Sequence, residues 1–278
     1  MILVTGATGT VGRETVSRLP ALGHAPKALT RDPAAAFPDG TDVVHGDASR
    51  PSTYAAALDG VEALLVSPRA VGAGLPELLG EARTRGVERV VLLSAITVEY
   101  GGGFRRFAEG FRAAENAVAA SGLAHTFLRL AQFAGNTRVW APQIREHSAV
   151  RCSYGDAATS PIHERDIAAV AALTLTDPAH AGRSHALTGP KSLTQREHVA
   201  AIAAALGREV PWIEVPPEEA GAAMVARGVP AEIPQRMYGY LAECLREPGP
   251  TTDTLAELLG RPPLTYGDWA EENAEAFR

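Results

Sequence analysis

The chain has 278 residues, 46% of them apolar and 21% charged, which is the composition of a globular protein with a sizeable core. A net charge of −6 without a basic cluster argues against nucleic acid as a partner, and no apolar run approaches the ~18 residues of a membrane span. The isolated Cys152 and Cys244, with eight histidines that lack ligand spacing, predict a cytoplasmic protein without a metal site.

The first predicted element is a short buried strand, Ile2–Thr5, which leads into the turn GATGTVG and a helix over Val11–Leu19. A strand, a glycine-rich turn and a helix N-terminus together form a site for a dinucleotide pyrophosphate. The first glycine allows a tight turn, the second lets the backbone approach the phosphates, and the third lets the helix pack against the strand. Free amides of the first helical turn then face the anion, while the threonine hydroxyls either join them or only start the helix. The predicted contacts are Gly6, Thr8, Gly9, Thr10, Val11 and Gly12.

The residue after the second predicted strand, Pro26–Thr30, distinguishes the two nicotinamide cofactors. NAD sites place a carboxylate there for the ribose hydroxyls, whereas NADP sites place a basic residue for the 2′-phosphate. Arg31 comes first in this chain and its guanidinium can hold a phosphate through two hydrogen bonds, so NADP(H) is favoured. Asp32 leaves NAD(H) as the alternative, although Asp32 followed by Pro33 also favours a turn.

Two further strands are predicted at Asp42–His45 and Ala63–Ser67, with helices over Ser52–Leu58 and Gly74–Arg85. Asp47 follows the first of these strands and either contacts the adenine amino group or caps the next helix. Ligands of parallel sheets lie beyond the carboxyl ends of the strands. The predicted cofactor contacts therefore also include Arg31, Asp47, Ala48, Ser67 and Pro68.

The fifth and sixth predicted strands, Arg89–Ser94 and His125–Leu130, flank a helix over Phe104–Ala120. Short strands that alternate with helices predict right-handed βαβ units, and hence an α/β fold with a Rossmann-type, doubly wound parallel sheet. Ser94 ends the fifth strand and is a candidate catalytic residue as a hydrogen-bond donor. A serine whose hydroxyl is satisfied within the fold fits the same position equally well.

Aromatic residues follow the fifth and sixth strands, where this fold places substrate-contacting loops. Three phenylalanines after a run of three glycines recur at helical spacing, so they either line a substrate or face the core. A flat aromatic substrate fits such a pocket. The predicted substrate contacts are Ile96, Phe104, Phe107, Phe111, Gln132, Phe133 and Trp140.

The second half of the chain has frequent Pro and Gly residues and mostly helical periodicity. Its predicted helices are Ile167–Thr176, Gln195–Leu206, Glu218–Arg227 and Pro234–Glu247, and its predicted strands are His185–Thr188 and Val210–Val215. We interpret residues 1–134 as the NAD(P)-binding domain. Residues 135–278 are interpreted as a smaller, mainly substrate-binding α/β lobe that is partly interleaved with it.

An ordered set of motifs consists of Gly6–Gly12, Arg31-Asp32-Pro33, Gly46-Asp47, Ser121–Arg129, Arg165–Ala168, Ala186–Pro190 and Leu206–Arg208. Together they resemble the NmrA-like group of atypical, extended short-chain dehydrogenase/reductases over nearly the whole chain. The resemblance implies an NADP-binding Rossmann domain with a small C-terminal substrate lobe. The group includes quinone and azo reductases and cofactor-sensing regulators, and some atypical reductases of aromatic polyketides, such as angucyclinone ketoreductases, are of this general kind.

The usual acid–base pair of the wider superfamily, Tyr-x-x-x-Lys, is missing. The residues four positions after the six tyrosines are Leu58, Phe104, Ala158, Ala242, Cys244 and Ala270. By the resemblance, Phe111 stands where isoflavone reductase-like enzymes place a catalytic lysine and quinone reductases often a histidine.

These observations predict an NADPH-dependent reductase that transfers hydride to a ketone or quinone carbonyl of a planar aromatic substrate without the tyrosine–lysine pair. Positioning of the reactants and delocalisation within such a substrate would take the place of the missing acid. The alternative is a non-catalytic regulatory protein that senses NADP(H).

Overall fold

The computed structural model of the protein describes residues 1–100 and 105–278, and it describes side chains for residues 1–100 and 108–278. Its strands are β1 (Ile2–Val4), β2 (Pro26–Thr30), β3 (Asp42–His45), β4 (Ala63–Val66), β5 (Arg89–Ala95), β6 (Ala124–Leu130), β7 (Val150–Cys152), β8 (Ala158–Thr159), β9 (Arg183–Leu187), β10 (Leu193–Thr194) and β11 (Trp212–Glu214). Its α-helices are α1 (Thr10–Arg18), α2 (Pro51–Tyr54), α3 (Pro68–Val71), α4 (Leu75–Thr84), α5 (Thr97–Tyr100), α6 (Arg105–Ala120), α7 (Ala141–His147), α8 (Glu164–Thr176), α9 (Gln195–Leu206), α10 (Pro217–Ala226), α11 (Glu232–Cys244), α12 (Thr254–Leu259) and α13 (Tyr266–Glu272).

The described residues divide into two units. The first consists of Met1–Glu99, Arg106–Leu130 and Glu164–Leu187, and the second contains Ala131–His163 and Thr188–Arg278. Across both described parts of the chain, no helix combines the length and the apolar character that crossing a membrane requires.

The first unit is built on a seven-stranded sheet in the order β3-β2-β1-β4-β5-β6-β9, and every neighbouring pair in it is parallel. Side chains alternate between its two faces. Leu3, Leu64 and Leu92 pack on one face in a core shared with α4, while α1 and α8 pack together and α8 also contacts β4 and β5. Strands β1, β2 and β4 are buried along their whole length, as a sheet covered on both faces requires. The Rossmann-type α/β prediction is confirmed.

The seventh strand comes from the half of the chain that we interpreted as the substrate lobe. The predicted strand His185–Thr188 is β9, one to two residues earlier, and it pairs with β6 from Thr126↔Arg183 to Leu130↔Leu187. Without β9, the backbone N–H and C=O groups along one side of β6 would lack partners. Helix α8, which precedes β9, also belongs to the first unit.

The second unit has two small sheets, an antiparallel pair β8–β10 and a parallel pair β7–β11. Its core contains Trp269, Phe277 and Ile144, all fully buried or nearly so. Helix α9 begins with a capping box in which the Thr194 hydroxyl accepts a hydrogen bond from the Glu197 amide, and its bounds match the predicted Gln195–Leu206. A second capping box, formed by Thr265 and Asp268, starts α13.

Candidate functional site

The glycine-rich turn at the carboxyl end of β1 leaves no room for side chains. Gly6 has φ +65°, a left-handed backbone that favours glycine, and its amide oxygen accepts a 2.9 Å hydrogen bond from Gly9 N. A Cβ on Gly12 would lie only 2.3 Å from the Gly6 carbonyl oxygen and 2.9 Å from Ala7 Cα. Helix α1 can therefore pack this closely on the turn after β1 only with glycine at position 12.

The start of α1 presents backbone amides that its own helix does not use. The first amide to bond within the helix is that of Arg13, which donates to Gly9 O at 2.9 Å. No described side chain caps this end, and Thr8, Gly9 and Thr10 are exposed. Uncapped amides at the positive end of a helix favour an anion, so this turn fits the pyrophosphate of a dinucleotide.

Thr5, a buried threonine directly after β1, fixes the adjacent strand ends. Thr5 Oγ1 donates to Leu65 O at 2.9 Å and accepts from Ser67 N at 2.9 Å. These two bonds tie the turn after β1 to the end of β4, where Ser67 and Pro68 are partly buried. A Cβ on Gly6 would contact Ser67 Cβ at 3.1 Å, so the two turns pack directly against each other.

The segment after β2 places Arg31 and Asp32 in different environments. Arg31 is exposed, and no described residue forms a hydrogen bond or ion pair with its side chain. Asp32 Oδ1 accepts a 2.9 Å hydrogen bond from Ala34 N, and Asp32 N donates to Thr30 Oγ1 at 3.0 Å. Asp32 therefore forms the turn that the Asp-Pro pair favours, while the guanidinium of Arg31 is available to a ligand.

Asp47 follows β3 and forms a local turn, and it does not cap the next helix. Its Oδ1 accepts hydrogen bonds from Ser49 Oγ at 2.7 Å and Ser49 N at 3.0 Å, whereas the N-cap of α2 is Arg50. These hydrogen bonds, with smaller contributions from the positive charges of Arg31 and Arg50, lower the pKa of Asp47. Asp47 is thus a carboxylate near Arg31, and the adenine contact stays a prediction. Ala48 beside it is buried.

Ser94 lies at the end of β5 and donates its hydroxyl proton to a buried carboxylate. The Ser94 Oγ–Glu115 Oε1 distance is 2.6 Å, and Ser94 is only 3% exposed. Arg129 Nε and Nη2 donate to Glu115 at 3.1 and 2.8 Å, and Arg129 Nη1 donates to Glu99 at 3.1 Å. The bonds to Glu115 raise the pKa of Arg129. This environment matches the interpretation of Ser94 as a hydroxyl satisfied within the fold, and its role as a donor to substrate stays a prediction.

The predicted substrate contacts of the first unit have mixed environments. Ile96 is 5% exposed and donates its amide to Leu130 O, so its side chain lies in the protein interior. Phe111 is half-buried. Phe104 lies outside the described residues, and the side chain of Phe107 is not described.

The remaining substrate candidates belong to the second unit. Gln132 O accepts a 2.8 Å hydrogen bond from Ile162 N, and Phe133 forms a bridge with Ile162; both Gln132 and Phe133 are partly buried. The substrate contact of Trp140 stays a prediction. Its ring is 5% exposed and packs edge-on against Trp212, with centroids 5.9 Å apart, so it is a core residue of this unit.

Neither cysteine has the character of a nucleophile. Both are buried and free, and burial raises the pKa of Cys152 and brings that of Cys244 to about 11. A neutral thiol is unreactive, since the thiolate is the nucleophilic form.

A family model described as NAD(P)H-binding matches residues 6–178, which include the glycine turn, Arg31 and the Ser94 network. The chain belongs to this NAD(P)H-binding family. The predicted membership of the NmrA-like, atypical short-chain reductases is confirmed by this match together with the fold.

Two relatives align over essentially the full chain. The (4-alkanoyl-5-oxo-2,5-dihydrofuran-3-yl)methyl phosphate reductase of Streptomyces griseus is 36% identical, and the alignment covers 100% of this chain and 99% of the relative. The NAD(P)H azoreductase of Xenophilus azovorans is 34% identical with the same coverage, 100% and 99%.

An NADPH-dependent quinone oxidoreductase from Escherichia coli, whose structure holds NADPH, superposes with a TM-score of 0.82 at 25% identity over 98% of this chain and 99% of that one. This NAD(P)H-binding family member is accordingly an NAD(P)H-dependent oxidoreductase, as predicted.

Proposed function

We propose that the protein is an NADPH-dependent reductase of a ketone or quinone carbonyl in a planar aromatic small molecule. The observation that carries the proposal is the glycine turn, where a Cβ at position 12 would fall 2.3 Å from the Gly6 carbonyl oxygen, next to uncapped amides and the exposed Arg31. The relative named as a quinone oxidoreductase supports a quinone acceptor, and the relative named as an azoreductase supports reduction by NAD(P)H.

The residues present fit a bound NADP(H). The amides of Thr10, Val11 and Gly12 would hold the pyrophosphate, and Arg31 would hold the 2′-phosphate that distinguishes NADP(H) from NAD(H). Asp47, Ala48, Ser67 and Pro68 are the further proposed contacts. Bound NADPH supplies the hydride. The protein contributes orientation, because holding two reactants in contact removes several kcal/mol of entropic barrier.

The substrate itself is proposed to stabilise the charge that develops on its oxygen. Three tyrosines, Tyr54, Tyr238 and Tyr266, are buried. Burial also raises the pKa of Tyr54 to about 12, which makes the loss of its proton less favourable. A quinone spreads the incoming charge over its ring, and a ketone beside a phenol accepts an internal hydrogen bond. Neither acceptor requires a tyrosine–lysine pair.

The proposal is tested by NADPH oxidation with a panel of quinones and hydroxylated aromatic ketones, followed at 340 nm. Turnover with at least one member is expected, and with NADPH in preference to NADH. Tight NADPH binding without turnover on any acceptor would instead favour the NADP(H)-sensing alternative.

Tyr100 provides the sharpest test of the missing acid. It is the last residue of α5, shortly after β5. Its side chain is 50% exposed, whereas the other five tyrosines are buried or partly buried, so Tyr100 is the tyrosine most accessible to a ligand. Tyr100→Phe should retain turnover within a small factor. A loss of several orders of magnitude with the fold intact would identify Tyr100 as a catalytic acid.

A further inference from the structure

Arg13, the fourth residue of α1, reaches across to the loop that follows β2. Its Nη1 donates a 2.7 Å hydrogen bond to the carbonyl oxygen of Ala36. Its Cζ lies 5.5 Å from the centroid of the Phe37 ring. A guanidinium is attracted to the face of an aromatic ring, and the hydrogen bond to the neighbouring carbonyl fixes its orientation. The two contacts join α1 to the middle of the loop, which runs from residue 31 to residue 41.

The same loop begins with Arg31 and is ordered from that end by its own turn. Asp32 bonds to Ala34 N through its side chain, and Ala35 N donates to Asp32 O at 3.3 Å. The first half of the loop is therefore fixed at its start by Asp32 and at the middle of the loop by Arg13. If a loop is already ordered before a ligand binds, less conformational entropy is lost on binding. A side chain on such a loop therefore contributes more to the affinity.

We propose that Arg13 is a positioning residue for cofactor choice. By holding Ala36 and Phe37 against α1, it keeps the loop in the conformation in which Arg31 meets the 2′-phosphate of NADP(H). This inference rests on the proposed function for the identity of that ligand. Arg13 would then contribute to the selectivity for NADPH without contacting the cofactor, through its contacts with the Ala36 carbonyl and the Phe37 ring.

Two variants separate this role from a direct contact between Arg13 and the phosphate. Phe37→Ala removes the ring but keeps the charge of Arg13, whereas Arg13→Ala removes the charge and both contacts. If Arg13 acts through the loop, Phe37→Ala, which loses one contact, should raise the dissociation constant for NADPH about fivefold, and Arg13→Ala, which loses both, should raise it about tenfold or more. Both variants should leave the dissociation constant for NADH nearly unchanged. The double variant should bind NADPH no more weakly than Arg13→Ala alone.

A second measurement reports on the loop in the cofactor-free protein. Trypsin cleavage after Arg31 should be faster in Arg13→Ala and Phe37→Ala than in the unchanged chain. Arg18→Ala is the matched control, because Arg18 lies in the same helix and its ion pair is with Glu14, one turn away at 3.9 Å. Its cleavage rate and cofactor affinities should not change.

Loss of NADPH affinity in Arg13→Ala but not in Phe37→Ala would show a direct charge contact and overturn the proposal. Equal losses for NADH and NADPH, or unchanged proteolysis, would also overturn it. Arg31→Ala, titrated alongside, distinguishes this failure from failure of the proposed function. If that variant shows no selective loss of NADPH, the 2′-phosphate assignment itself is wrong.

Discussion

Arg31 is the residue on which, under the proposed function, the choice between NADPH and NADH depends most directly, since its exposed guanidinium forms no hydrogen bond or ion pair with a described residue. Arg31→Ala should weaken NADPH binding by roughly 1.5–3 kcal/mol, the usual cost of losing a hydrogen-bond partner of a charged group. NADH binding should hardly change, because NADH lacks the 2′-phosphate. Isothermal titration with both cofactors checks this. Equal losses would move the assignment to Asp32 as a ligand of the ribose.

Substitutions in the buried Ser94–Glu115–Arg129 network should lower the free energy of unfolding by different amounts. Ser94→Ala removes one hydrogen bond from Glu115, which keeps both bonds to Arg129, so about 1 kcal/mol of stability should be lost. Glu115→Ala leaves the Arg129 guanidinium with Glu99 alone and should cost about 3–5 kcal/mol. Urea denaturation measures both. Turnover of Ser94→Ala should fall by a modest factor, and a large fall at unchanged stability would make Ser94 a catalytic donor.

At the scale of elements, the packing of α1 on β1 makes Gly12 intolerant of any side chain. Gly12→Ala places a Cβ against backbone atoms of Gly6 and Ala7, so the helix must shift at a cost of about 1–3 kcal/mol or more, and the pyrophosphate turn must shift with it. Gly80→Ala in α4 is the control, because a Cβ there meets no atom within 4 Å. It should stabilise the protein by about 0.5–1 kcal/mol. Thermal unfolding and NADPH titration compare the two, and equal behaviour would contradict the packing argument.

The first six strands were predictable because each is a short apolar run followed by a turn signal, and their bounds agree with the structure to within about one residue. The environments that local patterns did not predict depend on partners distant in the sequence. Trp140 was assigned to the substrate because it follows β6, whereas its ring packs on Trp212, which no local pattern connects to it. Similarly, Ser94 had two interpretations because the carboxylate that accepts its proton is 21 residues away on α6.

At the scale of the whole molecule, a fully buried histidine ties stability to pH. His198 packs against the Tyr266 ring with centroids 4.4 Å apart, and neither ring nitrogen has a hydrogen-bond partner among the described residues. Burial lowers the pKa of His198 to about 4, against a small opposing effect of Glu197. The unfolded chain takes up this proton near pH 6.5 and the folded chain does not. Stability should therefore be complete above pH 6.5 and fall by about 1.4 kcal/mol for each pH unit down to about 4.

His198→Phe removes this titrating group. The free energy of unfolding of that variant, measured by urea denaturation between pH 7 and 5, should therefore depend much less on pH. The matched control is His147→Phe, whose side chain is 61% exposed. That variant should keep the slope of the unchanged chain. If His198→Phe kept the same slope as well, other groups would be responsible for the loss of stability in acid.

The contribution of Glu164–Leu187 to the first unit also bears on how the chain is made. Synthesis proceeds from the N-terminus, so β1 to β6 leave the ribosome well before their last neighbour does. Until Leu187 has emerged, the outer side of β6 presents unpaired backbone groups, which is the kind of surface that recruits other strands. A truncated chain that ends at residue 134 would keep the outer side of β6 unpaired permanently. The order of translation therefore leaves this edge unpaired for the time taken to add about fifty more residues.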